Sequence, residues 1–273
     1  MEPVRIDDAD DPRIAEFRSI RERDLTGREG RFIAEGTVVL RMLAAAHRAG
    51  GDFSAEKILL LENRVAGLAD ILSEFPEEVP VYVASGAVLD QIAGFHLHRG
   101  VLALGRRGRE RSVAELIAGL PGMALLVAAF GISNHDNVGS IFRNAAAFGA
   151  DAVLLDEGCC DPLYRKALRV SVGAVLSVPY TKSGSMADIL ALLTQGGFAI
   201  WGLSPAGAVE IRNVPASDRM VLITGTEGEG LPADILSRIR TARIAQAQGL
   251  DSLNAATATG IALYEIAVAQ GRL

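Results

Sequence analysis

The chain has 273 residues, 49% hydrophobic and 22% charged, with a formal net charge of −6. Two domains are expected at roughly 100–200 residues each, and this composition excludes a disordered or collagen-like chain. The central apolar run 123–130 is far short of the ~20 residues that cross a membrane, and the acidic opening MEPVRIDDADDP is not a secretory signal.

Residues 1–12 read as a flexible acidic tail. From Ile14 the apolar spacing is helical, through Ile14, Phe17 and Ile20, then Phe32, Val38, Val39, Met42 and Leu43. Residues 57–61 read as a strand, 65–75 as a helix, and 79–84 and 101–104 as two more strands. This makes 13–106 a small α/β domain. Arg13, Arg18, Arg21, Arg23, Arg28, Arg31, Arg41 and Arg48 fall in it, interleaved with acids. A second run, Arg99, Arg106, Arg107, Arg109 and Arg111, is opposed only by Glu110. Charge alone favours a solvated surface over a nucleic-acid patch.

Residues 107–122 open with Gly and Arg, continue as a short helix near 113–118 and close on G-L-P-G-M, the punctuation of a linker. Past it, strands alternate with helices. Strands are expected at 124–130, 152–155, 176–180, 198–203, 220–223 and 242–245. Helices are expected at 138–148, 164–170, 186–193, 233–239 and 253–270. Near-continuous apolar strands separated by helices predict an α/β domain over 123–273, with a mostly parallel sheet covered on both faces. The adjacent Cys159 and Cys160, with no C-x-x-C anywhere, read as thiols of a reduced, cytoplasmic protein. Four scattered histidines suggest no metal site.

Three loops follow strands, and in parallel sheets ligands bind at the carboxyl ends of strands. The first is I-S-N-H-D-N-V-G-S at 132–140, running on to Arg143. The second is T-G-T-E-G-E-G at 224–230, whose glycines let backbone approach a ligand and whose Glu227 can accept hydrogen bonds. The third is Q-A-Q-G-L-D-S-L-N at 246–254. If the helix begins at Val138, Asn137 caps it; Ser252 is positioned to cap the last helix, with Asn254 in its first turn. Read singly, each of these residues is explained by capping, turn formation or a surface ion pair.

Read together, N-V-G-S-I-F-R-N-A-A-A-F-G, G-T-E-G-E-G-L and D-S-L-N-A-A-T-A-T-G-I-A-L-Y-E form a specific series. Over about 125–270 the chain resembles the SpoU (TrmH) family of RNA ribose 2′-O-methyltransferases, of the SPOUT superfamily. R-F-I-A-E-G-T-V-V-L at 31–40 and H-R-G-V-L-A-L at 98–104 are similar to that family's RNA-binding domain, which is like ribosomal protein L30e. The resemblance implies a trefoil knot in the C-terminal domain, S-adenosyl-L-methionine as cofactor, structured RNA (rRNA or tRNA) as substrate, and a homodimer. It carries catalytic roles onto Asn137, Arg143, Glu227, Ser252 and Asn254. It carries cofactor contacts onto Thr224, Gly225, Gly230, Ile244 and Leu253. A departure is Ile244-Ala245-Gln246, where the family has Ile-Pro-Met; the loop is expected to be looser or differently shaped there. Two other readings compete with the 2′-O-methyltransferase: a non-catalytic RNA-binding or cofactor-sensing protein of the same fold, and a SPOUT enzyme that methylates base nitrogens.

Overall fold

The computed structural model describes residues 2–18, 26, 30–93, 100–226, 228–247, 249 and 252–273. It divides into two compact units, Met1–Glu110 with Leu163–Ser177, and Arg111–Pro162 with Val178–Leu273. No helix among the described residues is long and apolar enough to cross a membrane.

The first unit is a five-stranded mixed sheet. Its strands are β1 (Val4–Ile6), β2 (Arg31–Glu35), β3 (Phe53–Leu61), β4 (Val81–Ala84) and β5 (Val101–Arg107), in the order β1-β4-β3-β5-β2. Strands β1 and β3 flank β4 in parallel, while β5 runs antiparallel to β3 and β2. Its helices before residue 110 are α1 (Thr37–Arg48), α2 (Ala69–Leu72) and α3 (Gly86–Ala93). The acidic tail is corrected here: Val4-Arg5-Ile6 pairs with β4, and Ile6 is buried. A three-residue alternation among so many acids is too short to stand out. The helical pattern through Phe32 is also corrected. Gly36, at φ +92°, separates strand β2 from helix α1, so the spacing from Phe32 to Leu43 spans two elements. Over 65–75 the backbone makes a 3₁₀ turn at Ala66–Leu68 and only the short α2, with Gly67 a poor helix former.

The arginine run is engaged within the unit. Arg31 meets Glu56 at 2.9 Å, Arg41 meets Asp70 at 2.9 Å and Arg48 meets Glu74 at 2.9 Å. Arg18 pairs with Asp10, and Arg106 also reaches Glu56. Arg21, Arg23, Arg28 and Arg99 lie outside the described residues.

The second unit is a seven-stranded sheet in which every pairing is parallel. Its strands are β6 (Ala124–Ala129), β7 (Ala152–Leu155), β8 (Tyr180–Lys182), β9 (Ala199–Leu203), β10 (Val209–Glu210), β11 (Arg219–Thr224) and β12 (Arg240–Arg243). The order is β10-β12-β9-β11-β6-β7-β8. The helices beyond residue 110 are α4 (Val113–Ala118), α5 (His135–Ala147), α6 (Arg165–Val170), α7 (Met186–Gln195), α8 (Ala233–Leu236) and α9 (Ala255–Ala269). Strand β6 is buried at every residue, as a central parallel strand requires.

The short helix expected within the linker is α4, and it is packed into the core rather than loose. Ser112 and Glu115 form a reciprocal capping box at its start, and Val113, Leu116 and Ile117 join the core with Leu126 and Leu193. Residues 163–177, read as part of the second domain, belong with the first unit. Helix α6 contacts β2, the Arg169 guanidinium pairs with the buried Glu35 at 3.3 Å, and Gly173 packs on Met42. The strand expected at 176–180 is a 3₁₀ turn, Ala174–Leu176, followed by β8. Its apolar residues face a packed turn rather than a ladder.

Gly105 sits opposite Phe32 in the β2–β5 register, and a Cβ there would lie 2.3 Å from the buried Phe32 ring. Overpacking of this kind costs about 1–3 kcal/mol. Gly105→Ala is therefore expected to lower the urea midpoint by an equivalent amount. An unchanged midpoint would contradict this packing.

Candidate functional site

The sheet itself gathers the loops. Thr224 lies beside Ala129 in the β11–β6 register, Ile223 beside Gly202 in β11–β9, and Ala242 beside Leu203 in β12–β9. The carboxyl ends of four adjacent strands are thus nearly level. The loops that follow β6, β9, β11 and β12 emerge along one edge.

Three of them enclose a cavity of about 310 Å³, together with the start of α9. Thr224, Gly225, Gly230, Ile244 and Leu253, the residues carried over as cofactor contacts, all line it, and so do Ser252 and Asn254. The loop after β11 is folded back on itself. Gly230 N donates to Thr226 O at 3.1 Å, and a Cβ on Gly225 would sit 2.6 Å from the Gly230 backbone. Only glycine permits that approach. Glu227 lies outside the described residues.

Asn137 and Asn254 exchange the roles that spacing suggested. Helix α5 begins three residues early and is capped by Asn134, whose Oδ1 accepts from Asp136 N at 2.9 Å. Asn137 is then in the first turn and only 4% exposed. Helix α9 is capped by Asn254 rather than Ser252: its Oδ1 accepts from Ala256 N at 3.0 Å and Thr257 N at 3.1 Å. That leaves Asn254 Nδ2 free to donate to Asn137 Oδ1 at 2.9 Å. Two residues 117 apart in sequence are joined directly. Close packing of the helices supports the bond. Asn144 Nδ2 donates to Ala256 O at 2.9 Å, and a Cβ on Gly260 would lie 2.7 Å from Asn144 Nδ2.

Arg143 is not in the cavity wall. It stands exposed on α5, and no described residue pairs with it. The first loop is pinned from below. Cys159 Sγ donates to Ala129 O at 3.2 Å and accepts from Ile132 N at 3.3 Å, and Gly131 N donates to Asp156 Oδ1 at 2.9 Å. Burial pushes the Cys159 thiol up to about 12 and Cys160 to about 11, so both remain protonated at neutral pH.

Several wall residues escaped the sequence reading: Leu203, Ser204 and Pro205 after β9, Leu231 and Leu236; Gln246, singled out where the family has Met, also lines the cavity. The loop after β9 carries no motif. Its place follows only from β9 lying between β11 and β12.

The model of the SpoU rRNA methylase family matches residues 124–264. The chain belongs to that family. It is an RNA methyltransferase of the SpoU kind, with an α/β fold matching SPOUT methyltransferase structures. It is 40% identical over 268 residues to an uncharacterized tRNA/rRNA methyltransferase of Mycobacterium bovis, covering 94% of this chain and 89% of the relative. A solved RNA 2′-O ribose methyltransferase superposes with a TM-score of 0.80 at 27% identity, covering 99% of this chain and 100% of that one. An AdoMet-bound rRNA methyltransferase from Sinorhizobium meliloti shares the fold, with a TM-score of 0.80 at 23% identity over 98% of each chain.

Within this SpoU unit the Asn137–Asn254 bond should be measurable as a coupling. Removing a cap costs about 1 kcal/mol, and a neutral hydrogen bond adds about 0.5–1.5 kcal/mol. Asn254→Ala is expected to cost more than Asn137→Ala. A double-mutant cycle read by urea unfolding should return a coupling near 1 kcal/mol. Strict additivity would mean that the two side chains do not interact.

Proposed function

We propose that this protein transfers a methyl group from S-adenosyl-L-methionine to a ribose 2′-hydroxyl of ribosomal or transfer RNA, as a cytoplasmic homodimer. The observation that carries the reading is the joining of Asn254 to Asn137 at the rim of a cavity lined by every residue expected to hold the cofactor. The 2′-O ribose methyltransferase among the structural neighbours favours sugar over base as the acceptor.

The cavity suits the donor. Its volume lies in the range of small-molecule sites, and such sites combine apolar walls with a few polar groups. Here the walls are Leu203, Leu231, Leu236, Ile244 and Leu253, with Thr224 and the glycine loop supplying polar groups. Bound there, the donor would supply an already activated methyl group on a sulfonium. The protein's own work is then alignment and charge. Holding two reactants in a near-attack geometry can lower a barrier by about 7–11 kcal/mol.

Arg143 is proposed as the residue that engages the acceptor. Its guanidinium, with a pKa above about 12, is a poor base at neutral pH. It is better suited to clamp the phosphate beside the reacting ribose and to stabilise the developing oxyanion, while phosphate or solvent receives the proton. Its exposure and lack of a partner among the described residues leave it available for that contact. Asn137, Ser252 and Asn254 would orient the sugar and the loops, and Glu227 would fix the loop after β11. The first unit, whose sequence resembles the L30e-like RNA-binding domain of the family, would hold the RNA.

The homodimer is supported by α9. Only Glu265 is charged along its 15 residues. One side packs inward through Ala256, Gly260, Leu263 and Ala267, yet Ile261, Tyr264 and Val268 are 39%, 49% and 45% exposed. A helix apolar all round belongs in an interior, and a second copy of the chain would provide one.

Recombinant protein incubated with labelled donor and bulk RNA should yield a 2′-O-methylnucleoside after digestion and mass analysis. A base-methylated product would overturn the reading. Arg143→Ala should lower methyl transfer by at least about 10²-fold while calorimetric binding of the donor is nearly unchanged; full turnover by this variant would refute its role. Sedimentation should give a dimer for the parent chain and a monomer for Tyr264→Asp. A parent that sediments as a monomer would remove α9 as an interface.

A further inference from the structure

The half-buried Gln246 lines the cavity beside Ile244, and its Oε1 is shielded from solvent with no hydrogen-bond partner among the described residues. A buried acceptor left unpaired is destabilising, because it gives up its bonds to water and gains none in return. Cores avoid this, and binding sites accept it when a ligand completes the bond. An apolar residue of similar length would fill the same wall at no such cost. The terminal torsion of a Gln side chain is broad and roughly two-fold, so the carboxamide can turn either end toward the cavity.

The donors of an adenosyl ligand differ in kind. Its ammonium is charged, and the exposed Glu229 carboxylate lies on the same cavity wall to receive it. Its ribose hydroxyls both donate and accept, so they pair readily with backbone or water. The exocyclic amine of adenine is neutral and sits on a flat, apolar ring. That ring matches the wall formed by Leu203, Leu231, Leu236 and Leu253. A carboxamide also presents an acceptor and a donor side by side, the pattern that pairs with an adenine edge. Neutral amide and neutral amine, both desolvated on the same apolar wall, are the matched pair.

We propose that Gln246 is a specificity-determining residue whose Oε1 accepts a hydrogen bond from the exocyclic amine of adenine in the bound cofactor. This rests on the cofactor reading above, and the test separates the two.

Calorimetry would compare S-adenosylhomocysteine, the stable product, with its analogue in which hydrogen replaces the exocyclic amine. The parent protein should bind the adenine ligand at least about tenfold more tightly. Gln246→Met, of similar volume, should bind both ligands within about twofold of each other, because no acceptor is left to read the amine. Gln246→Leu is measured in the same way, so that a folding defect in one variant does not decide the outcome; each is checked for a cooperative melt. Undiminished discrimination in both variants, or none in the parent, would overturn the assignment of Gln246 while leaving the cofactor reading intact. Failure of the parent to bind S-adenosylhomocysteine at all would overturn the cofactor reading itself.

Discussion

A side-chain hydrogen bond from Asn254 Nδ2 to Asn137 Oδ1 joins the two halves of the site. Asn254 serves two ends at once. Its oxygen satisfies the open amides at the start of α9, while its nitrogen reaches the buried Asn137 in the first turn of α5. No other residue type does both from that position. Asp would cap as well but offers no donor, and Ser is too short to span the gap. The cavity wall at Ser252, Leu253 and Asn254 therefore takes its position from the same contact that fixes the helix.

Beneath that bond lies the parallel sheet. Because β12, β9, β11 and β6 are adjacent and in level register, four otherwise unrelated loops share one edge. The small residues at the α5–α9 contact, Ala256 and Gly260, let α9 close against Asn144. Cys159 and Asp156 hold the first loop by its backbone amides, with the thiol kept neutral by burial. The rigid parts of the site are made by backbone and buried amides. Arg143, the group assigned to the acceptor, remains exposed on its helix. That division suits a cavity that must be preformed for a small donor and a reactive face that must admit a large RNA.

The first unit was the harder to read. Phe32 and Leu43 obey one helical spacing although they belong to a strand and a helix, because periodicity does not register the turn at Gly36. Charge patterning favoured a solvated surface for the arginine run without naming its partners, and Arg31, Arg41 and Arg48 each find a carboxylate within the unit. Those acids, Glu56, Asp70 and Glu74, lie 25 to 29 residues away in sequence, beyond the reach of local charge patterning.

What the sequence determined by itself is the alternation of apolar strands and helices, the three polar loops, and the family to which they belong. Local composition suffices for these, since burial on both faces and turn chemistry are written residue by residue. The tertiary structure alone decided which asparagine caps and which one is buried, that the loop after β9 joins the cavity, and that residues 163–177 belong with the first unit. Each of these depends on pairing between distant segments, and neither strand order nor a hydrogen bond across 117 residues leaves a local trace. The unpaired oxygen of Gln246 is of the same kind: its type is plain in the sequence, and its burial beside the cavity is not.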